Sequence, residues 1–95
     1  MKTIRFAHET DIAQIIDLCE AHAAYEECDY NPIGKADLLA KALWGDTPKL
    51  YCLVIEKGQK LIWYATYMLQ YSTWDADEYI YLDTIYIIEE ERGSI

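Results

Sequence analysis

The sequence predicts an α+β layered domain, in the order strand, helix, helix, then three consecutive strands pairing as an antiparallel meander. Three observations predict it. Apolar residues recur at helical spacing after Asp11 and again after Lys35, the period turns extended from Leu50 onward, and Tyr79 to Ile88 is dense in Ile and Tyr without Gly or Pro. Ninety-five residues make one domain, 1–95, near the size where every element must contribute to the core.

Taken in order, Thr3 to Phe6 is a short first strand with Ile4 and Phe6 on one face. A helix follows from Asp11, with Ile12, Ile15, Ile16, Cys19 and Ala23 as its apolar stripe, Thr10 as cap and Asp11 at the positive end of the dipole. Tyr25 to Ile33 is a polar connection closed by Asn31-Pro32. The second helix runs from about Lys35 to Trp44 and buries Leu38, Leu39, Ala42 and Leu43, ending at Gly45-Asp46-Thr47-Pro48. Tyr51 to Glu56 and Leu61 to Tyr71 form a hairpin around Lys57-Gly58-Gln59-Lys60, and Ser72 to Glu78 is a polar loop. The last strand, Tyr79 to Ile88, reads as buried on most of both faces: Tyr79, Tyr81, Asp83, Ile85 and Ile87 alternate with Ile80, Leu82, Thr84, Tyr86 and Ile88. Two helices cannot easily cover both faces, so a partner chain or elements outside this sequence are expected to cover the second.

Charge narrows the function classes. A net charge of −9 with 53% hydrophobic residues describes a globular chain with an acidic surface. Such a surface repels nucleic acid and anionic membrane, so a charged partner would be a basic small molecule or a basic peptide, with solubility alone as the other reading of the acidity. Cys19, Cys28 and Cys52 have no CxxC spacing and no His cluster beside them, so no metal-ligating set is expected, and Cys19 and Cys52 pack as small hydrophobes. The N-terminus lacks the apolar run of a signal peptide and no stretch reaches membrane-spanning length, which makes the cytoplasm the expected compartment. His22, near the end of the first helix, sits where an imidazolium is mildly favoured.

Several stretches in order resemble the GCN5-related N-acetyltransferase (GNAT) superfamily. They are Ile4-Arg5-Phe6-Ala7 with Asp11-Ile12, Tyr51 to Glu56 with Ile62-Trp63-Tyr64-Ala65, and Tyr81 to Ile87 before Glu91-Arg92-Gly93. Tyr71-Ser72-Thr73-Trp74 and the strand after it are most similar to the diamine and polyamine branch. The resemblance implies an acetyl-coenzyme A enzyme that acetylates an amine directly. In such enzymes the backbone at Ile85, Tyr86 and Ile87 would meet the pantetheine arm, and the next turn carries (Arg or Gln)-x-x-Gly-x-(Gly or Ala) for the pyrophosphate. Arg92 fits the first position and Gly93 follows it, as a remnant of the cofactor site, but Ile95 stands where the motif has its glycine. Trp63 stands where the family usually has glycine. The resemblance also implies Asp83 as a water-mediated base, with a hydrogen bond to a backbone group or a tyrosine hydroxyl as the alternative. Glu26, Glu27, Asp29 and Trp74 would flank the acceptor amine, with solvated loop charge as the alternative for the three acids.

The expectation is a GNAT-like domain truncated at the pyrophosphate motif, with no acetyltransferase activity or tight acetyl-coenzyme A binding on its own, forming a homodimer through Tyr79–Ile88. The alternative is an acetyl-coenzyme A-dependent N-acetyltransferase for a small amine or polyamine, as a fragment of a longer enzyme or with a completing partner.

Overall fold

The computed structural model describes residues 1–93. Strand β1 (Lys2–Phe6) leads through a 3-10 turn (Glu9–Asp11) into helix α1 (Ile12–Tyr25), followed by α2 (Lys35–Trp44), β2 (Tyr51–Lys57), β3 (Lys60–Ser72), β4 (Asp77–Ile87) and a second 3-10 turn (Glu89–Glu91). The sheet runs β1-β2-β3-β4, every neighbour antiparallel. Both helices lie on one side of it, α1 against β3 and α2 against α1. The α+β order expected from the periodicity is the one found, with β1 joining the meander. No helix of the described residues is long and apolar enough to cross a membrane.

The core lies between α1 and the centre of the sheet. Ile15 and Leu18 meet Cys52, Val54, Ile62, Tyr64, Tyr86 and Ile88, and Ile15, Val54 and Ile62 are almost wholly buried. Leu18, outside the expected stripe, is buried, while Ile12, Cys19 and Ala23 are only half-buried. Helix α2 is more peripheral than its stripe suggests: Leu43 is buried, but Leu38 is 68% exposed. It is held by Trp44, whose Nε1 donates to the Ala7 carbonyl at 3.3 Å.

Thr10 does not cap α1. Asp11 does the corresponding work one turn earlier, accepting the His8 N–H at 2.7 Å while its two oxygens take the Arg5 guanidinium at 2.7 and 3.1 Å. Arg5 Nε also reaches Glu56 at 3.1 Å, so one guanidinium joins β1, β2 and the start of α1. Gln14 clamps the β2–β3 turn, accepting the Leu61 N–H at 2.8 Å and donating to the Gln59 carbonyl at 3.2 Å. That turn has two central residues and places Gly58 at φ 65°, the left-handed conformation that a tight hairpin requires.

Three expectations for the last strand are corrected. It starts at Asp77, because Ser72 Oγ accepts the Asp75 N–H and shortens the connection to a tight turn. It is not buried on both faces: only Tyr86 and the following Ile88 are buried, and Tyr79, Ile80, Tyr81, Leu82 and Ile85 are exposed. Its alternation is broken by a bulge, since Thr66 pairs with Thr84 but Tyr67 pairs with Leu82, leaving Asp83 as the extra residue. Leu82 and Ile80 therefore share a face with Ile85 and Ile87, while Tyr79 and Tyr81 join Thr84 and Tyr86 on the helix side.

The register makes the side of the sheet away from the helices continuous. Ile4 and Phe6 of β1 lie beside Ile55 and Leu53 of β2, which lie beside Trp63 and Ala65 of β3. Ala65, Tyr67 and Leu69 lie in turn beside Ile85, Leu82 and Ile80 of β4. No helix packs there among the described residues.

Arg5 holds the Asp11 carboxyl below the usual carboxylate range, mainly through their hydrogen bonds, against a smaller opposing effect of burial. A carboxylate whose folded pKa is depressed adds stability above its unfolded value of about 4, and that stability is lost as pH falls through the folded value. Asp11→Ala should therefore cost roughly 2–3 kcal/mol in urea unfolding at pH 7, because the Arg5 guanidinium and the His8 N–H both lose this partner. The difference from the unsubstituted chain should shrink below about pH 4.

Candidate functional site

Where the C-terminal half of α1 passes over β3 and β4, Cys19, His22, Glu26, Cys28, Tyr30, Tyr64 and Thr84 line a cleft of about 310 Å³. Its floor is the Tyr64 phenol, which burial pushes well above the ordinary tyrosine range, so it stays protonated and acts as a neutral hydrogen-bonding group. Cys19 Sγ donates to the Tyr64 hydroxyl at 3.6 Å, and His22 Nδ1 lies 3.4 Å from that hydroxyl. His22 Nε2 on the other side of the ring lies 3.8 Å from Glu26 Oε1. The result is a polar line from the buried phenol to a solvent-facing carboxylate.

The bulge sets the cleft's other wall. Asp83 Oδ2 accepts the Thr84 hydroxyl at 3.0 Å and the Thr66 hydroxyl at 3.3 Å. Asp83 is exposed, and the extra residue turns it to the rim of the cleft. Its partners are two threonine hydroxyls rather than a backbone group or a tyrosine hydroxyl.

Past the end of β4, Tyr86 stacks on His22 at 4.8 Å between ring centres. Arg92 lies 4.1 Å above the Tyr25 ring and 5.5 Å from that of Tyr86, and its Nε and Nη2 donate to the Ile87 carbonyl at 3.2 and 3.1 Å. The guanidinium is thus folded back on the strand end. Gly93 follows at φ 88°, a conformation suited to glycine, and Ile95, the motif's fourth position, lies outside the described residues.

The structure brings some expected site residues together and separates others. Glu26 lines the cleft and Asp83 reaches it through Thr84, and Tyr86 and Arg92 share one aromatic stack with His22 and Tyr25. Ile85 and Ile87 point to the opposite face, so only their backbone is available on the cleft side. Glu27 and Asp29 are exposed outside the lining, and Trp74, 96% exposed, sits in the β3–β4 turn at the opposite end of β4 from Arg92. Sequence reasoning missed Tyr64, Thr66, Thr84, Cys19 and Tyr30 as site groups. Only their helix, strand or loop setting was visible, and the pairing of Cys19 with Tyr64 spans 45 positions. Among the described residues no group of three or more His, Cys, Asp or Glu is arranged to hold a metal.

Burial pushes the Cys52 thiol up to about 12, whereas Cys28 is exposed at the cleft. Iodoacetamide at pH 8 should label Cys28 in the folded chain and Cys52 at least ~100-fold more slowly, read by peptide mass mapping. Comparable labelling of the two would contradict the described packing.

No family model matches the sequence. A human protein described as spermidine/spermine N(1)-acetyltransferase-like protein 1 is 31% identical over 98 residues, which take in 95% of this chain and 14% of that protein. Among solved structures, a possible acetyltransferase from Clostridium difficile 630 superposes with a TM-score of 0.80 at 21% identity, over 98% of this chain and 61% of that one. A predicted acetyltransferase from Clostridium acetobutylicum, solved with acetyl-CoA, superposes with a TM-score of 0.78 at 16% identity, over 98% and 64%. The chain therefore spans less than two thirds of the solved proteins it matches and a small part of the human one.

Proposed function

We propose that this chain, whose fold is part of the GNAT acetyltransferase fold, is by itself a non-catalytic acetyltransferase-like unit that self-associates through its last strand. The observation that carries this reading is Arg92. At the position the family uses to approach the cofactor's pyrophosphate, the guanidinium is engaged by the Ile87 carbonyl and the Tyr25 ring. The chain spans 61% of a solved relative's length, which fits a partial acetyltransferase fold. The free edge of β4 supports the self-association. A cytoplasmic setting fits three unpaired cysteines.

A second reading is favoured by Asp83, Glu26 and the Tyr64–His22 line: an acetyl-coenzyme A-dependent N-acetyltransferase for a small amine, active when further chain completes the cofactor site. The cleft has carboxylates at its rim and hydroxyls on its walls, which suits a protonated amine. Nucleic acid and anionic membrane remain poor partners for a chain of net charge −9.

Incubation of the 95-residue chain with acetyl-coenzyme A and spermidine should release no thiol above the uncatalysed rate. Acetyl-coenzyme A at ~1 mM should raise Tm by less than about 1 °C. Turnover by this chain alone, or a rise of several degrees, would overturn the first reading; the second expects turnover only once the chain is extended to complete the cofactor site.

A further inference from the structure

We propose that the acidic turn after β4 is an ionic latch: Glu91, seated on Lys57 and Lys2, holds the exit of the strand and keeps the Arg92 guanidinium from reaching an oxyanion. The inference rests on the non-catalytic reading above, in which Arg92 is engaged, and names what keeps it so. The register builds the latch. Lys2 and Lys57 are direct cross-strand partners at the end of β1 and β2, and like charges so placed destabilise a sheet. The 3-10 turn supplies the counter-charge: Lys57 Nζ donates to Glu91 Oε2 at 2.9 Å and Lys2 Nζ lies 3.7 Å from Oε1, with the Glu91 side chain only 13% exposed. Lys60 adds a longer contact, 3.8 Å from Glu90. Three of the eight cations of an acidic chain thus converge on one turn.

Two successive residues of this segment face opposite sides of the sheet. Lys2 shares the far side with Ile4 and Phe6, so Glu91 is drawn there, while Arg92 is drawn to the helix side, over the Tyr25 ring and onto the Ile87 carbonyl. The backbone couples them. The Ile88 N–H donates to the Ile62 carbonyl at 3.0 Å, the Glu91 N–H to the Ile88 carbonyl at 3.1 Å and the Arg92 N–H to the Glu89 carbonyl at 3.2 Å, so the turn opens or closes as a unit. The strength of the latch suits a switch. A partly exposed ion pair shifts an equilibrium by up to about 5-fold, so the open turn is a minor population rather than a forbidden one. An oxyanion selects that population, because a guanidinium binds paired, charged oxygens more strongly than a neutral carbonyl.

The test follows the Arg92 Nε–H group by NMR in the full chain, with Glu91→Gln and Lys57→Gln compared with the unsubstituted protein at equal ionic strength. The expected result is exchange of that proton with water about 5-fold faster in both variants, the effect of losing one such ion pair, while the Val54 and Tyr64 amides keep their protection. The two substitutions change the net charge in opposite directions, so a shared effect cannot come from the field of the whole chain. Inorganic pyrophosphate, as the probe anion, should perturb the Arg92 signal in Glu91→Gln at roughly 5-fold lower concentration than in the unsubstituted chain. Unchanged Nε–H exchange in both variants would overturn the latch and leave the non-catalytic reading standing; turnover in the assay above would overturn that reading whatever the exchange rate. Faster exchange without the gain in pyrophosphate response would also overturn the latch, and so would loss of protection at Val54 and Tyr64 in step with Arg92, the sign of a merely structural role. If Glu91→Gln fails to fold, the exchange rate in Lys57→Gln decides.

Discussion

Asp83 is one residue more than β3 can pair with, and that offset governs both sides of the sheet. On the helix side it turns a carboxylate onto the hydroxyls of Thr66 and Thr84, closing the rim of the cleft beside Tyr64 and His22. On the far side it moves Leu82 and Ile80 into line with Ile85, so the apolar surface continues without interruption along β4. Without the bulge, strict alternation would put Tyr79 and Tyr81 on the far face and Ile80 and Leu82 toward the helices. A polar site and an apolar surface are thus separated by one unpaired residue.

The second organising contact is the fork of Arg5 onto Asp11, with Glu56 as its other partner. It fixes where α1 begins relative to the sheet, and with it the line along which Ile15, Leu18, Cys19 and His22 descend. Gln14 performs the matching task at the β2–β3 turn. The helix is therefore registered to the sheet by polar contacts near its first turn and by apolar packing farther along, and the cleft forms where that packing ends.

The order of elements was legible because its signals are local: helical spacing after Asp11 and Lys35, a Gly-containing two-residue turn, and an Ile- and Tyr-rich last strand. The site was legible only in part. Glu26 and Asp83 reach the cleft, but the groups that give it its character, Tyr64, Cys19 and Thr84, come together across long stretches of chain that no periodicity records. The bulge was hidden for a related reason, since Tyr79 to Ile88 satisfies a strand pattern with or without it, and only pairing with β3 selects the offset. Helix α2 shows the opposite error: its apolar stripe is regular, yet Leu38 faces water because α2 packs mainly on α1 rather than on the sheet.

The division of the surface into a charged part and an uncharged sheet face sets two ranges of force on anything that approaches the chain. The charge of −9 acts over about 8 Å at physiological ionic strength, whereas the uncharged side chains that the four strands place on that face between Lys57 and Glu78 act only at contact. An anion is therefore slowed before it reaches the apolar side chains, while a neutral or basic molecule is not.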